Sequence, residues 1–299
     1  MAATPTDRAD AVTERVLGWE PGHGFTVLAE PAGRPADAGG PAGAGGAGGS
    51  GGALPAADSW LVVDGRVRAF SRHRERFLRA CAETVELPHG QLAAFWQDMT
   101  AELPREGMWF PRVELAPPGR TPLLSLRLRV APPLTSRVRV WADGQQDPRT
   151  VPRRKGPDLE TLAGVRRRAA AHGADEALLT SASGLVLEAA YSSVMWWEEG
   201  TLCVPSPALP VLAGVTTAVI RERARRARIP FVARDRTVAE LAGREVWLVN
   251  ALHGIRPVTA WTGRPMEAGA AMEAGPATRA PEWREWLAGI TEPLPVDWP

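Results

Sequence analysis

The segment from Pro31 to Pro55 consists almost entirely of glycine, alanine and proline, and it limits which part of the chain can fold. Such a composition buries too little apolar surface to offset the entropy lost on folding. Its glycines do not lie between a strand and a helix, so we predict a flexible insert and not a phosphate-binding loop. The folded body is therefore expected to begin at Asp58.

The hydrophobic patterns downstream of the insert predict a small α/β domain over residues 58–150. Asp64 and Gly65 separate two β-prone runs, which is typical of a two-residue hairpin turn. Residues 1–57 are expected to form an N-terminal extension that contains the insert. The expected helices lie at 71–83 and 92–102, and the expected strands at 24–28, 113–115, 123–130 and 138–141.

Residues 151–299 predict a larger lobe in which strands cluster between occasional helices. Asp158 is a candidate N-cap for a helix that ends at His172, and Gly173 supplies its C-terminal stop. This pattern predicts an α+β protein with a mixed, barrel-like second lobe. The other expected helices lie at 215–228 and 281–290, and the strands at 177–180, 185–197, 201–204, 229–233, 245–249 and 257–261.

The composition narrows the functional classes. The formal net charge is +1, and the arginine runs are not interleaved with aromatic residues, so no nucleic-acid partner is expected. No window holds about 18 consecutive apolar residues and no N-terminal apolar signal is present, so we expect no membrane partner and a cytoplasmic protein. Two cysteines are too few for a disulfide framework or a zinc site, and no metal is expected.

Lys155 is the only lysine in a chain with 35 lysine and arginine residues. A guanidinium stays protonated in proteins and cannot form an imine, whereas a lysine amine can. A solitary amine therefore suggests Schiff-base chemistry. The alternative is a surface lysine that has been retained by chance.

Two other stretches carry chemical information. Glu188 lies in the apolar run 184–193, beside the only tyrosine, Tyr191. A buried carboxylate needs a partner, which would be either an arginine in the core or a protonated pyridine nitrogen. Gly214 precedes a predicted helix whose N-terminus offers backbone amides and a positive dipole to an anion, although a simple turn is the alternative.

The order of these stretches resembles the class IV aminotransferases, which are fold-type IV pyridoxal-phosphate enzymes. The resemblance covers roughly residues 58–261 and rests on the runs 184–193, 205–220 and 245–258, with the only lysine upstream. This family includes branched-chain and D-amino acid transaminases and 4-amino-4-deoxychorismate lyase. The resemblance implies a two-lobed fold, the cofactor pyridoxal 5′-phosphate, a small-molecule amino substrate and a homodimer.

The resemblance also implies roles for individual residues. Lys155 would be catalytic, forming the imine with the cofactor and moving protons, and Glu188 would keep the pyridine nitrogen protonated. The amides of Val215, Thr216 and Ala251 would bind the phosphate. Two more residues are assigned to cofactor binding: Arg79, and Ser193, which stands where the family usually has asparagine. Candidate anchors for a substrate carboxylate are Arg112, Arg127, Arg129, His253 and Arg256.

Two features favour the lyase branch of the family. The Asn250-Ala251-Leu252 triplet resembles the lyases, and Glu160 stands five residues after the lysine, where transaminases often have tyrosine. The expected reaction converts 4-amino-4-deoxychorismate to pyruvate and 4-aminobenzoate, for folate or a secondary metabolite. The alternatives are an amino-acid transaminase of the same fold and a binding protein that has lost catalysis. The intact Lys155 and Glu188 argue against a binding protein.

Overall fold

The computed structural model describes residues 14–29, 53–143, 146–263 and 272–296. Nearly all of the predicted flexible insert lies outside these ranges. The elements up to residue 129 are β1 (Glu14–Glu20), β2 (Gly24–Ala29), β3 (Ala56–Ser59), β4 (Val62–Val63), β5 (Arg66–Val67), α1 (Phe70–Ala82), α2 (Gln91–Glu102), β6 (Met108–Trp109), β7 (Arg112–Leu115) and β8 (Leu124–Arg129).

The first lobe is built on a five-stranded antiparallel sheet in the order β2-β1-β8-β7-β3. Strand β8 buries Leu124, Leu126 and Leu128 on one face, because alternate side chains of a strand point to opposite faces. These leucines share a core with buried aromatic side chains of α1 and α2, which include Phe77 and Trp96. The opposite face of β8 carries polar residues, which leaves it available for a site.

The second lobe begins with β9, although residue 138 lies within the predicted small domain. Its elements are β9 (Val138–Trp141), α3 (Leu159–Ala171), β10 (Glu176–Thr180), β11 (Val186–Ala189), β12 (Ser192–Glu198), β13 (Thr201–Val204), α4 (Val215–Arg226), β14 (Phe231–Ala233), β15 (Val246–Asn250), β16 (Gly254–Thr262), α5 (Ala280–Gly289) and β17 (Glu292–Pro293).

Six strands of the second lobe close into a barrel in the order β11-β10-β9-β16-β15-β12, and β12 pairs back with β11. Strands β13 and β14 extend the sheet beyond the barrel. Val140, Trp196 and Leu248 belong to one buried cluster of this lobe, and α4 and α5 pack through a second cluster that includes Ile220 and Trp283. The α+β architecture with a barrel-like second lobe is confirmed.

The two lobes exchange strands, so the sheets do not follow the predicted boundary at residue 150. Strand β9 lies between β10 and β16, and β17 returns to pair with β5 in a small four-stranded sheet with β4 and β6. Strands β1 and β2, from the predicted N-terminal extension, are part of the first-lobe sheet. The sheet that a strand joins depends on its pairing with strands distant in the sequence, and local sequence patterns do not reveal that pairing.

The predicted single strand at 185–197 is instead the hairpin of β11 and β12, with Ala190 and Tyr191 at the turn. The residues around the turn are as buried as the strands, so hydrophobic periodicity could not locate it. The helix predicted from Asp158 is present and Asp158 occupies its N-cap position, but the Asp158 side chain makes no capping hydrogen bond. Its carboxylate accepts hydrogen bonds from the amides of Thr150 and Val151. Among the described helices, none is long and apolar enough to cross a membrane.

Candidate active site

A cavity of about 1350 Å³ is lined by residues of both lobes. Its walls include the polar face of β8, the loop that precedes α3, the β11–β12 hairpin and the start of α4. It brings together six of the seven residues predicted to bind the cofactor. Lys155, Glu188, Ser193, Val215, Thr216 and Ala251 all line it.

Lys155 is held in the cavity wall by a backbone contact with the first lobe. The amide of Ala57 on β3 donates to the carbonyl oxygen of Lys155 at 2.8 Å. Gly156 follows with φ at 137°, and a Cβ there would lie 2.8 Å from Ala56, so only glycine allows this approach. Burial lowers the pKa of the Lys155 amine to about 8, and Arg76 adds to that effect while Asp58 opposes it. The amine is therefore readily available in its unprotonated form.

Beside Lys155, the fully buried carboxylate of Asp58 fixes an arginine and a histidine. It accepts from Nε and Nη2 of Arg76 at 2.7 and 2.8 Å, and Nδ1 of His73 lies 2.9 Å away. Burial alone would raise the pKa of Asp58, but Arg76 and His73 hold it well below its usual range. Asp58 is therefore ionised, and it orients the Arg76 fork bidentately.

The arginine that faces the start of α4 is Arg76 and not the predicted Arg79. Arg79 is exposed near the C-terminal end of α1 and is not among the described residues that line the cavity. Arg76 does line it, and its Nη1 donates at 3.2 Å to the carbonyl oxygen of Ala213, just before α4. The two arginines are about one helical turn apart, so sequence spacing did not separate them.

Glu188 belongs to a buried group of three charges that carries a net negative charge. Nη1 of Arg149 donates to Glu188, and Arg149 also forms a bidentate pair with Asp147, with two distances of 2.8 Å. All three side chains are at most 8% exposed. Burial raises the pKa of Glu188 to about 7, against the opposing effect of Arg149. One guanidinium cannot neutralise two carboxylates, so the group can accept a further cation.

The start of α4 provides an anion-binding cradle. The first amides of the helix, including those of Val215 and Thr216, have no intrahelical partners and point out of its N-terminus. A Cβ at Gly214 would lie 2.7 Å from the Ser193 hydroxyl, so glycine keeps this corner open. Thr217 Oγ1 is buried there, with no hydrogen-bond partner among the described residues. An unpaired hydroxyl beside free amides suits an acceptor-rich anion.

The loop that carries Ala251 is fixed by the side chain of Asn250. Its Oδ1 accepts from the amides of Leu252 and His253 at 3.1 and 2.8 Å. Its Nδ2 donates to the Ser192 hydroxyl at 3.0 Å. This Asx-type turn places Ala251 in the cavity lining near the start of α4.

The first-lobe wall of the cavity has more arginines than carboxylates. Glu114 accepts from Nε of Arg112 at 2.6 Å and of Arg127 at 3.1 Å, and Arg127 also pairs with Glu14. Arg129 donates only to the carbonyl oxygen of Phe110 among the described residues. Burial and the nearby Arg112 lower the Arg129 pKa to about 10, which is the effect expected of a cation without a close counter-ion.

The second-lobe wall of the cavity also has more arginines than carboxylates. Glu176 lies 3.7 Å from both Arg166 and Arg256, and burial raises its pKa. Arg256 is 4% exposed, and its Nε has no partner among the described residues. Burial and Arg256 lower the His253 pKa to about 3, so this imidazole is neutral, and it accepts from the Thr135 amide. Arg112, Arg127, Arg129, His253 and Arg256, the five sequence-predicted anchors, all line the cavity.

Sequence reasoning did not find Asp58, Arg76 or Arg149 as parts of this site. Arg149 lies six residues before Lys155, and Asp58 is the only acid of β3, between Ala57 and Ser59. A single acid in a β-prone run is the signal that identified Glu188, so Asp58 could have been recognised in the same way. The partners themselves come from distant parts of the chain.

The sequence profile of the class IV aminotransferases matches residues 56–261, more than two thirds of the chain. The chain belongs to the class IV aminotransferase family. The matched region contains Lys155, Glu188 and the start of α4. Enzymes of this family use pyridoxal 5′-phosphate, so the chain is a pyridoxal-phosphate-dependent transferase or lyase.

Solved class IV structures share this fold. A hypothetical aminotransferase from Mycobacterium tuberculosis has a TM-score of 0.69 and 21% identity, covering 93% of this chain and 98% of its own. The Escherichia coli branched-chain aminotransferase has a TM-score of 0.64 and 16% identity, covering 81% and 85%. A Legionella pneumophila protein provisionally assigned as 4-amino-4-deoxychorismate lyase has a TM-score of 0.63 and 17% identity, covering 80% and 91%. A comparison with curated proteins found no match.

The residues of this class IV enzyme fit its cofactor. The lowered pKa of Lys155 suits a nucleophilic amine. The net negative charge of the group around Glu188 suits a protonated pyridine nitrogen. The unpaired hydroxyl of Thr217, beside the free amides of α4, suits a phosphate.

Proposed function

We propose that this enzyme is a lyase that converts 4-amino-4-deoxychorismate to pyruvate and 4-aminobenzoate, a precursor for folate biosynthesis or for a secondary metabolite. The observation that carries this proposal is the excess of arginine on both walls of the cavity. Arg129 on one wall and Arg256 on the other lack a carboxylate at hydrogen-bond distance among the described residues. The proposed substrate has two carboxylates, which two separate cations match.

The proposed cofactor site uses the geometry of the cavity. Lys155 would hold the cofactor covalently, and Glu188 would face the pyridine nitrogen. The phosphate would lie at the N-terminus of α4. The remaining contacts in this proposal are the amides of Val215, Thr216 and Ala251, the hydroxyl of Ser193 and the guanidinium of Arg76.

Bound pyridoxal phosphate supplies an electron sink that acidifies the substrate carbon bearing the amino group. The Lys155 amine, whose pKa burial lowers to about 8, would accept that proton. Glu188 would pair its negative charge with the pyridine nitrogen, which would favour the protonated ring. Loss of the ring proton and cleavage of the ether bond to the enolpyruvyl group yield 4-aminobenzoate and pyruvate. The atoms balance without water or a second substrate.

The second candidate is an amino-acid transaminase, and the same arginine excess favours an acidic substrate for it. In that reaction Lys155 would return the proton to the cofactor and not to a product. Glu160 lines the cavity where transaminases of the family often have tyrosine. The hydroxyl of Tyr191, the only tyrosine, donates to the carbonyl oxygen of Leu159 at 3.3 Å. These two observations support the lyase over the transaminase.

Incubation of the holoenzyme with 4-amino-4-deoxychorismate tests the proposal. We expect pyruvate and 4-aminobenzoate to form in equal amounts without any 2-oxo acid, and Lys155→Ala to form neither. Conversion of the cofactor to its pyridoxamine form by an acidic amino acid, reversed by 2-oxoglutarate, would establish the transaminase instead. A purified protein without the visible absorbance of the bound cofactor and without either activity would be the degenerate binding protein.

We also propose that the enzyme is a cytoplasmic homodimer, as the family resemblance implies. Analytical ultracentrifugation of the holoenzyme should give twice the 32.1 kDa mass of the chain. A single species of chain mass would contradict the dimer, and fractionation of the producing cells would test the location.

A further inference from the structure

Arg68 is a half-buried arginine beside the anion cradle, and it is not among the described residues that line the large cavity. It lies between β5 and α1, and its Nη2 donates to the carbonyl oxygen of Ala251 at 3.4 Å. Among the described residues, no carboxylate lies within ion-pair distance of it. Burial alone lowers its pKa, and no acidic group opposes that effect. A partly desolvated charge normally has an ion-pair partner, so a guanidinium without a carboxylate here points to a ligand that supplies the negative charge.

A second, small cavity connects Arg68 to the cradle. It has a volume of about 10 Å³, which is close to the space that one water molecule needs. Arg68, Val215, Thr216 and Ala251 all line it. These last three residues are the ones whose amides form the proposed phosphate site. Arg68 therefore shares a small cavity with the three residues of the proposed phosphate site.

The charges at the cradle do not balance without Arg68. Arg76 is already neutralised by Asp58, which accepts two of its hydrogen bonds. A phosphate ester brings a charge of about −1.5 to −2 at neutral pH, whereas a helix N-terminus supplies only about +0.5. His73 does not make up the difference, because burial lowers its pKa. These groups therefore leave about one negative charge of the phosphate uncompensated, and Arg68 carries one positive charge.

We propose that Arg68 is a second cofactor-binding arginine, which compensates the charge of the phosphate across the water-sized cavity behind Val215, Thr216 and Ala251. Arg76 would then supply directed hydrogen bonds, and Arg68 the uncompensated positive charge. This inference rests on the proposed position of the phosphate at the start of α4.

The test compares the binding of pyridoxal 5′-phosphate and of pyridoxal to the apoenzyme, because the two ligands differ only in the phosphate. For Arg68→Met we expect about tenfold or greater weakening for pyridoxal phosphate, which corresponds to about 1.4 kcal/mol of lost charge compensation, and unchanged affinity for pyridoxal. Arg72→Met is the matched control. Arg72 is exposed on α1, four residues after Arg68, so its loss changes the net charge equally and should change neither affinity.

Arg68→Lys keeps the charge and guards against a methionine variant that fails to fold. It should retain most of the preference for the phosphorylated ligand. An unchanged ratio of the two affinities in Arg68→Met, or a tenfold fall of that ratio in Arg68→Lys, would overturn the proposal.

The double variant Asp58→Asn/Arg76→Met distinguishes failure of this inference from failure of the proposed phosphate site. It removes both members of the Asp58–Arg76 ion pair, so neither charge is left unpaired. If it lowers the preference for the phosphorylated ligand while Arg68→Met does not, the phosphate site stands and Arg68 has no part in it. If neither variant lowers that preference, the phosphate lies elsewhere and both proposals fail.

Discussion

Replacement of Glu188 by glutamine should stabilise the apoenzyme while it damages the holoenzyme. The carboxylate is buried in a group with Arg149 and Asp147 that has one negative charge too many. Without a cofactor, that charge has no partner and is costly. Glutamine keeps the shape and an acceptor oxygen for Arg149 but removes the charge.

The pKa of Glu188 gives the size and the sign of the effect. Burial raises it from 4.5 to about 7, which corresponds to ~3 kcal/mol at 1.36 kcal/mol per pKa unit. The folded state then binds a proton more tightly than the unfolded state. The free energy of unfolding therefore falls as the pH rises from about 4.5 to 7, and the loss is complete above pH 7. Glutamine does not titrate, so the variant escapes this loss.

Urea denaturation of both apoproteins at several pH values measures the difference directly. The free energy of unfolding of Glu188→Gln minus that of the parent should increase by ~3 kcal/mol between pH 4.5 and 8, because the contributions of other groups cancel. A difference that stays constant across this range would refute the reasoning. It would mean that Arg149 keeps Glu188 ionised at low pH.

The holoenzyme should respond in the opposite direction. A cofactor with a protonated pyridine nitrogen supplies the missing positive charge, so the cofactor should stabilise the parent more than the variant above pH 7. Turnover of Glu188→Gln should fall by roughly 10–100-fold, as is typical for lost partners of a reactive group. Unchanged turnover would leave Glu188 as a structural ion-pair residue only.

Lys155→Ala should remain folded and lose all activity, and borohydride treatment should add no cofactor mass, because no arginine can replace the amine; a reduced adduct in this variant would disprove the assignment. The rate of covalent cofactor capture by the parent apoenzyme should rise with pH through about 8, where the Lys155 amine loses its proton, and a stopped-flow rate that is flat from pH 7 to 9 would contradict the lowered pKa. Arg76→Lys should weaken cofactor binding by at least several-fold because the ammonium lacks the bidentate fork, whereas Arg79→Met should bind as the parent does. The reverse result in equilibrium dialysis would restore Arg79 as the phosphate arginine.

The sequence was sufficient to predict the fold class and most residues of the candidate site. The acid at position 188 and the glycine at position 214 are local signals, and both lie in the cavity wall. The hairpin of β11 and β12 was not predicted, because Ala190 and Tyr191 at its turn have none of the residues that usually mark turns.

The unpredicted part of the site consists of long-range charge pairs. Asp58 on β3 pairs with Arg76 on α1, and Arg149 pairs with Glu188, which lies 39 residues further along the chain. Because all but one of the 35 lysine and arginine residues are arginine, composition alone cannot distinguish the arginines of the site from the others. Only the folded arrangement decides which one a carboxylate selects, so Arg79 was chosen where Arg76 faces the cavity.

The hydrogen bond from Ala57 to Lys155 gives this chain a single built-in reporter of local opening. A lysine-specific endoprotease can cut the chain only at the bond between Lys155 and Gly156. That bond lies against β3, and a protease needs its target segment detached and extended. Under conditions in which reclosing is faster than cleavage, the yield of the two fragments therefore measures how often this loop leaves β3. Cofactor on Lys155 would mask that one cleavable residue, so digestion would also count the unloaded molecules in a preparation.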